Sequence, residues 1–246
     1  MKLSKTYASI AALVMTTLLA SNAAAQSQSV SKADTKSETT VEDEYLSNIE
    51  DTIITELAAS PDYDNKLYAL AYLEEAINSG RASKDMINAL DGLAGEGIKT
   101  ISKTNNRTMN NFPDVRRKAC ELLGEIPSEE SKNTLVSIAL NDNEPTVLSA
   151  AIRSLGQIQI NDGDEVSNAI AWAQKRNAAL NPTSALAFEV IVAYEKLSDS
   201  VADKKAMIQS VTEIANNYRY NQQVRMKALQ FLHNQAKGTS SSDYEK

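Results

Sequence analysis

The stretch that decides the fold is Phe112-Pro113-Asp114-Val115-Arg116-Arg117-Lys118-Ala119-Cys120-Glu121-Leu122-Leu123-Gly124, because a relative of it returns downstream as Asn143-Glu144-Pro145-Thr146-Val147-Leu148-Ser149-Ala150-Ala151-Ile152-Arg153-Ser154-Leu155-Gly156. Val115, Ala119, Leu123 and Gly124 recur 32 residues later as Val147, Ala151, Leu155 and Gly156. Apolar residues three and four apart share one face of a helix. A period of this length marks an array of stacked units rather than a globular enzyme domain.

Working outward, apolar spacing predicts helices in pairs at 43–59 and 64–79, 84–102 and 113–125, 129–141 and 145–158, 164–178 and 182–197, and 202–217 and 221–236. Tyr45, Ile49, Ile53 and Leu57, widened by Leu46 and Ile54, form the expected buried stripe of the first helix. Pro145 and Pro182 suit a first helical turn, where the missing N–H has no intrahelical partner. Gly80, Gly124 and Gly156 fall near helix ends, where a left-handed residue is often needed. Asp162 and Asp164, and Ser200 with Asp203, read as helix-start signals. Gly92, Gly95 and Gly97 weaken the 84–102 helix and predict that it ends early or bends. The connector Thr104–Asn111 is longer than a bundle turn needs. Nothing alternates with period two, so essentially no sheet is expected.

The paired helices, the repeat length and the Pro-Asp-Val-Arg…Ala…Leu-Gly second helix resemble HEAT repeats, over about residues 43–236. The likeness is strong at 113–124 and 145–156 and weaker at 221–233, where Val224, Arg225, Ala228 and Leu232 keep the spacing. At 64–74 Ala69 and Leu73 match, and at 182–194 Pro182 and an apolar helix remain. The expected fold is therefore an all-α, right-handed α–α solenoid of about five helix pairs. Armadillo and tetratricopeptide arrays are its nearest competitors. The resemblance implies that second helices line a concave face and that Arg116 joins an internal polar ladder.

Before the array lies a three-part segment. Lys2 and Lys5 precede the uncharged stretch Ala8–Ala20, and Ala23-Ala24-Ala25 offers a cleavage site before Gln26. Residues 1–25 thus read as a secretory signal, its apolar core of about 13 residues being short for a bilayer span. The division is completed by a polar linker over 26–41, the solenoid over 42–237 and a polar, disordered tail over 238–246. The expected location is periplasmic or secreted, with no membrane insertion after cleavage.

Without the signal, 23 basic residues face 32 acidic ones, and residues 26–62 alone carry a net charge of −7. Such a balance disfavours nonspecific nucleic-acid binding, which depends on cationic contacts. The single cysteine, Cys120, cannot form an internal disulfide and reads as a small buried apolar residue.

Catalytic signatures are absent from the sequence. His233, the one histidine, is placed at the end of the last helix, where a cation is favourable. No His/Cys set can hold zinc, and no phosphate loop or nucleophile elbow occurs, so neither metal nor cofactor is expected. Asn161-Asp162-Gly163-Asp164-Glu165 lacks the ligand alternation of a calcium loop. Trp172 is expected at an inter-repeat contact, and the helix Ala185–Tyr194, apolar nearly all round, is expected to be buried between its neighbours.

The functional expectation is a noncatalytic, exported scaffold that binds a protein or peptide partner. Spacing turns Val115, Ala119 and Leu122 inward, which leaves Arg117 and Glu121 outward, with Arg153 and Gln157 at related places one repeat on. These four are the candidate partner-binding residues. A rival reading is an anionic envelope polymer held by residues 99–118, which carry Lys99, Lys103, Arg107, Arg116, Arg117 and Lys118 against Asp114 alone. Lys99, Lys103, Arg107 and Lys118 are the contacts that reading requires. A HEAT-like lyase or glycosylase is the third reading. It would need perturbed carboxylates gathered in one pocket.

Overall fold

The computed structural model describes residues 41–242; residues 1–40, which hold the expected signal and nearly all of the expected linker, and the last four residues lie outside the described residues. Among the described residues the chain forms ten helices: α1 (Val41–Ala59), α2 (Tyr63–Asn78), α3 (Lys84–Ala94), α4 (Pro113–Leu123), α5 (Glu129–Asn141), α6 (Pro145–Ile158), α7 (Glu165–Leu180), α8 (Ser184–Leu197), α9 (Lys205–Asn216) and α10 (Gln222–Ser242). Each odd-numbered helix packs on the even-numbered one that follows. The odd helices also touch one another in succession, as do the even ones. The architecture is an all-α solenoid of five helix pairs in two layers.

The helices start and stop for local reasons. The side chains of Asp62, Ser83 and Ser128 accept from the backbone N–H groups of Asp64, Met86 and Ser131, at 3.1, 3.2 and 3.0 Å. These bonds satisfy orphan donors at the starts of α2, α3 and α5. Pro113 and Pro145 open α4 and α6. α2 ends on Gly80 at φ +83°, with the N–H of Gly80 donating to Ile77 O and that of Arg81 to Ala76 O, which closes the turn by the left-handed route.

One apolar core runs between the layers. Val115, Ala119, Leu123, Val147, Ala151 and Leu155 are all buried, as their matched places in the repeat require. A buried polar ladder accompanies them. Arg116 Nε and Nη2 reach Asp142 at 2.8 and 3.4 Å, and Arg116 Nη1 donates to Glu96 O and Asn111 Oδ1. Lys66, in the corresponding place on α2, pairs with Glu96 at 2.8 Å. Burial of either cation is tolerable because its charge is matched and its donors are used.

Several expectations are corrected. α3 stops at Ala94, the early end that its glycines predicted, but the chain then forms a hairpin of β1 (Lys103–Thr104) and β2 (Arg107–Thr108) where no sheet was expected. Asn105 and Asn106, at φ 49° and 64°, make its tight turn, the left-handed pair that asparagine tolerates. Two residues per strand are too few for alternation to register in the sequence. Buried Asn110 pins the hairpin by donating to Glu96 Oε1 and Thr100 O, both at 2.6 Å, and accepting from Ser102 N–H at 2.8 Å.

Pro182 precedes α8 by two residues rather than opening it, and α9 starts at Lys205, after the expected 202. α10 continues to Ser242, so helix replaces the first part of the expected tail and His233 sits mid-helix, exposed, away from any C-terminal cap. Ile54 of the first-helix stripe is buried, but Tyr45, Leu46, Ile49 and Ile53 are exposed, because no repeat precedes α1 among the described residues.

Candidate functional site

The even helices approach one another closely because of two glycines. Gly124 is right-handed, at φ −65°, so its role is not the left-handed cap that the sequence suggested. A Cβ there would lie 2.5 Å from Ser154 Oγ and 2.8 Å from Gln157 Oε1. Gly156 lies within α6, and a Cβ on it would sit 2.8 Å from Ala193 Cα. The Leu-Gly ends of the repeats are thus contact points between successive second helices. They draw α4, α6 and α8 into one continuous layer.

All four sequence-chosen residues lie on that layer. Arg117, Arg153 and Gln157 are exposed and Glu121 is half-buried. Arg117 pairs with Glu121 one turn along α4, at 2.6 Å. Arg153 reaches Glu189 on α8 at 2.8 Å, and this bond raises its pKa above the ordinary arginine value. Glu121 adds a longer-range attraction to Arg153, so α4, α6 and α8 carry one run of alternating charge. Gln157 Oε1 lies 2.8 Å from where a Cβ on Gly124 would stand.

The sequence reading missed the adjoining cleft. Ser184, Ala185, Phe188, Glu189, Asn221, Gln223 and Val224 line about 430 Å³ of space between α8 and α10. Phe188 is 42% exposed at its wall, with Lys227 Nζ 5.5 Å from the ring centroid. Lys227 is held there by Glu195 at 2.8 Å. The helix expected to be buried on every side therefore opens at Phe188, although Leu186, Val190, Ile191 and Tyr194 are buried. Burial there raises the Tyr194 phenol well above its usual value, and its hydroxyl donates to Ser167 O at 3.0 Å. One signal was available: Glu189 follows Arg153 by 36 residues, about one repeat.

The basic 99–118 segment does not form one open patch. Arg116 is buried on Asp142, Lys99 meets Asp91 at 2.7 Å, Lys118 meets Glu74 at 2.6 Å, and Arg117 meets Glu121. Lys103 and Arg107 are exposed on the hairpin. Acids drawn from α2, α3, α4 and the α5–α6 turn offset most of the charge that the sequence places there.

Residues with chemical potential have structural surroundings. Cys120 is fully buried, and desolvation pushes its thiol well above the ordinary cysteine value. Asp164, in a single 3-10 turn at Asp162–Asp164, accepts from the backbone N–H groups of Ala202 and Asp203 at 2.9 and 2.8 Å. Those bonds lower its pKa below the usual carboxylate value. It therefore caps the turn before α9 rather than its own helix. Asn161 Oδ1 accepts from Ser167 N–H at 3.1 Å near the start of α7. Trp172 is 48% exposed, with the Arg176 guanidinium 4.4 Å from its ring centroid, and Arg176 donates to Ala139 O, Leu140 O and Asp142 O at the end of α5, so Trp172 meets the neighbouring repeat through that ion rather than by filling a gap. Among the described residues no three His, Cys, Asp or Glu side chains gather as metal ligands, and no helix is long and apolar enough to cross a membrane.

A family model described as HEAT repeats matches residues 107–179, which spans β2 through most of α7. That match supports the HEAT-repeat resemblance over the central helix pairs. No curated protein and no solved structure matches the chain.

Proposed function

We propose that this protein is an exported, noncatalytic scaffold that holds a protein or peptide partner on its second-helix layer. The observation that carries the proposal is the juxtaposition of the Arg153–Glu189 pair with the Phe188 cleft. An apolar wall beside an oriented charge pair suits a side chain inserted from a partner, whose backbone or charged groups the rim then aligns. HEAT repeats generally mediate protein–protein contacts, which favours the same reading. Export rests on the Lys2–Ala25 pattern and places the partner in the periplasm or outside the cell.

The test begins with partner capture from the envelope or secreted fraction and proceeds to direct titration. Arg117→Glu, Arg153→Glu and Phe188→Asp should each weaken binding by more than about 1 kcal/mol. Their thermal midpoints should stay nearly constant, since exposed substitutions change stability by less than about 0.5 kcal/mol. Glu130→Lys, exposed on α5, should leave binding intact. Binding abolished by Glu130→Lys and untouched by the second-helix changes would refute the proposal.

A further inference from the structure

The two ends of the described array carry opposite charge around exposed apolar side chains. Residues 41–81 contain ten acids against Lys66 and Arg81, for a net of −8. Residues 200–242 contain six bases against Asp203 and Glu213, for a net of +4. At the α1–α2 end Arg81 pairs with Glu50 and Asp51 at 2.6 and 3.4 Å, and the excess of acid that remains there is not required by stacking.

At the α1–α2 end, Tyr45, Ile49 and Ile53 are 65%, 40% and 46% exposed. They lie on the arc of α1 opposite buried Ile54 and Ala58, so they face away from α3. Ile53 and Ile54 join Tyr72, Glu75 and Ala76 of α2 and the Glu50–Arg81 pair around a cleft of about 410 Å³. Exposed Glu42, Glu56 and Glu75 rim this face. With residues 1–25 removed, as the proposed export requires, residues 26–40 offer no large apolar side chain to cover it. Two such acidic ends would repel each other, which disfavours a head-to-head pair.

At the other end, Met226 and Leu229 of α10 are 57% and 49% exposed. Helical spacing puts them on the side away from Lys227, which contacts α8 through Glu195. Tyr218, 87% exposed, lies 4.9 Å from the Arg225 guanidinium beside exposed Arg219, and Lys204 and Lys205 are exposed at the other end of α9, where Lys204 Nζ donates to Gln235 Oε1 at 3.3 Å. This face has the complementary chemistry: apolar and cationic where the first is apolar and anionic.

We infer that the occupant of the open α1–α2 end is the α9–α10 end of a second copy of this chain, stacked head to tail. The contact would continue the solenoid, with α9 set against the partner copy's first helix and α10 against its second. It is heterologous, so each copy keeps one free end and the assembly grows with concentration. Opposite charges steer the docking and apolar side chains supply the burial.

Sedimentation of the protein purified from its native host tests this. Wild type should associate progressively with concentration at low salt, and association should weaken at least about tenfold at high salt as the charges are screened. Ile53→Arg and Leu229→Glu each block one end at an exposed position, and circular dichroism should show both folded. Each variant alone should be monomeric. Mixed together they should form a one-to-one dimer and nothing larger, through the two intact ends. A wild-type monomer at near-millimolar concentration and low salt would overturn the inference. So would dimers of Leu229→Glu alone, which would mean that two α1–α2 ends pair with each other.

Discussion

Replacing Gly156 with alanine sets two known effects against each other. The added methyl favours helix by up to about 1 kcal/mol at an interior position. Against this, its Cβ would lie 2.8 Å from Ala193 Cα and 3.0 Å from Ala193 Cβ, inside van der Waals contact with the next second helix. A backbone atom cannot swing aside, so α6 and α8 must separate, and overpacking of this kind costs about 1–3 kcal/mol. The expected net loss is about 1–2 kcal/mol. Gly92 supplies the control. It lies in α3 at the same distance from the helix end as Gly156 in α6, and an added Cβ meets nothing within 4 Å. Gly92→Ala should therefore stabilise by about 0.4–1 kcal/mol. Urea titration followed by helical circular dichroism reads both changes. If Gly156→Ala proves as stable as wild type while Gly92→Ala gains, successive second helices do not meet at Gly156 as described.

Leu123→Ala and Leu155→Ala should each cost about 2–5 kcal/mol by the same titration, since both leucines are buried in the inter-layer core. Arg116→Met should cost about 3–5 kcal/mol, because it strands the buried Asp142 carboxylate, and Arg116→Met with Asp142→Leu should recover much of that loss. Asp164 has a folded pKa below its unfolded value, so its contribution is present above the unfolded aspartate pKa of about 3.9 and is lost as pH falls through the lower folded value. Asp164→Asn should flatten that part of the acid limb in a pH series of denaturation midpoints. N-terminal sequencing of the exported protein should begin at or near Gln26, and an intact Met1 would remove the export reading.

The five pairs were legible because each helix repeats one apolar face at helical spacing, and stacking leaves few other ways to bury it. Val115 and Val147, or Leu123 and Leu155, needed nothing beyond their 32-residue separation. The glycines were misread because sequence shows a glycine without showing what crosses it. Gly80 met the need for positive φ, whereas Gly124 and Gly156 met the need for room. The α1 stripe has a normal helical period, yet only Ile54 and Ala58 find full cover, since periodicity reports a face and not its neighbour. The 99–118 charge looked like a patch because its partners are remote in sequence: Glu74 lies 44 residues before Lys118, and Asp142 lies 26 after Arg116. Arg117, Glu121, Arg153 and Gln157 were placed on one layer by helical geometry. Phe188 was hidden in a segment that is apolar nearly all round, with Glu189 its one charge.

The most direct test of the scaffold account is amide hydrogen exchange on the protein with and without its captured partner. Second-helix binding predicts slowed exchange in residues 145–158 and 184–197, extending to 113–123 and the start of α10, with α5 and α7 unchanged. Protection confined to α5 and α7, with the Phe188 cleft exchanging as in the free protein, would contradict it.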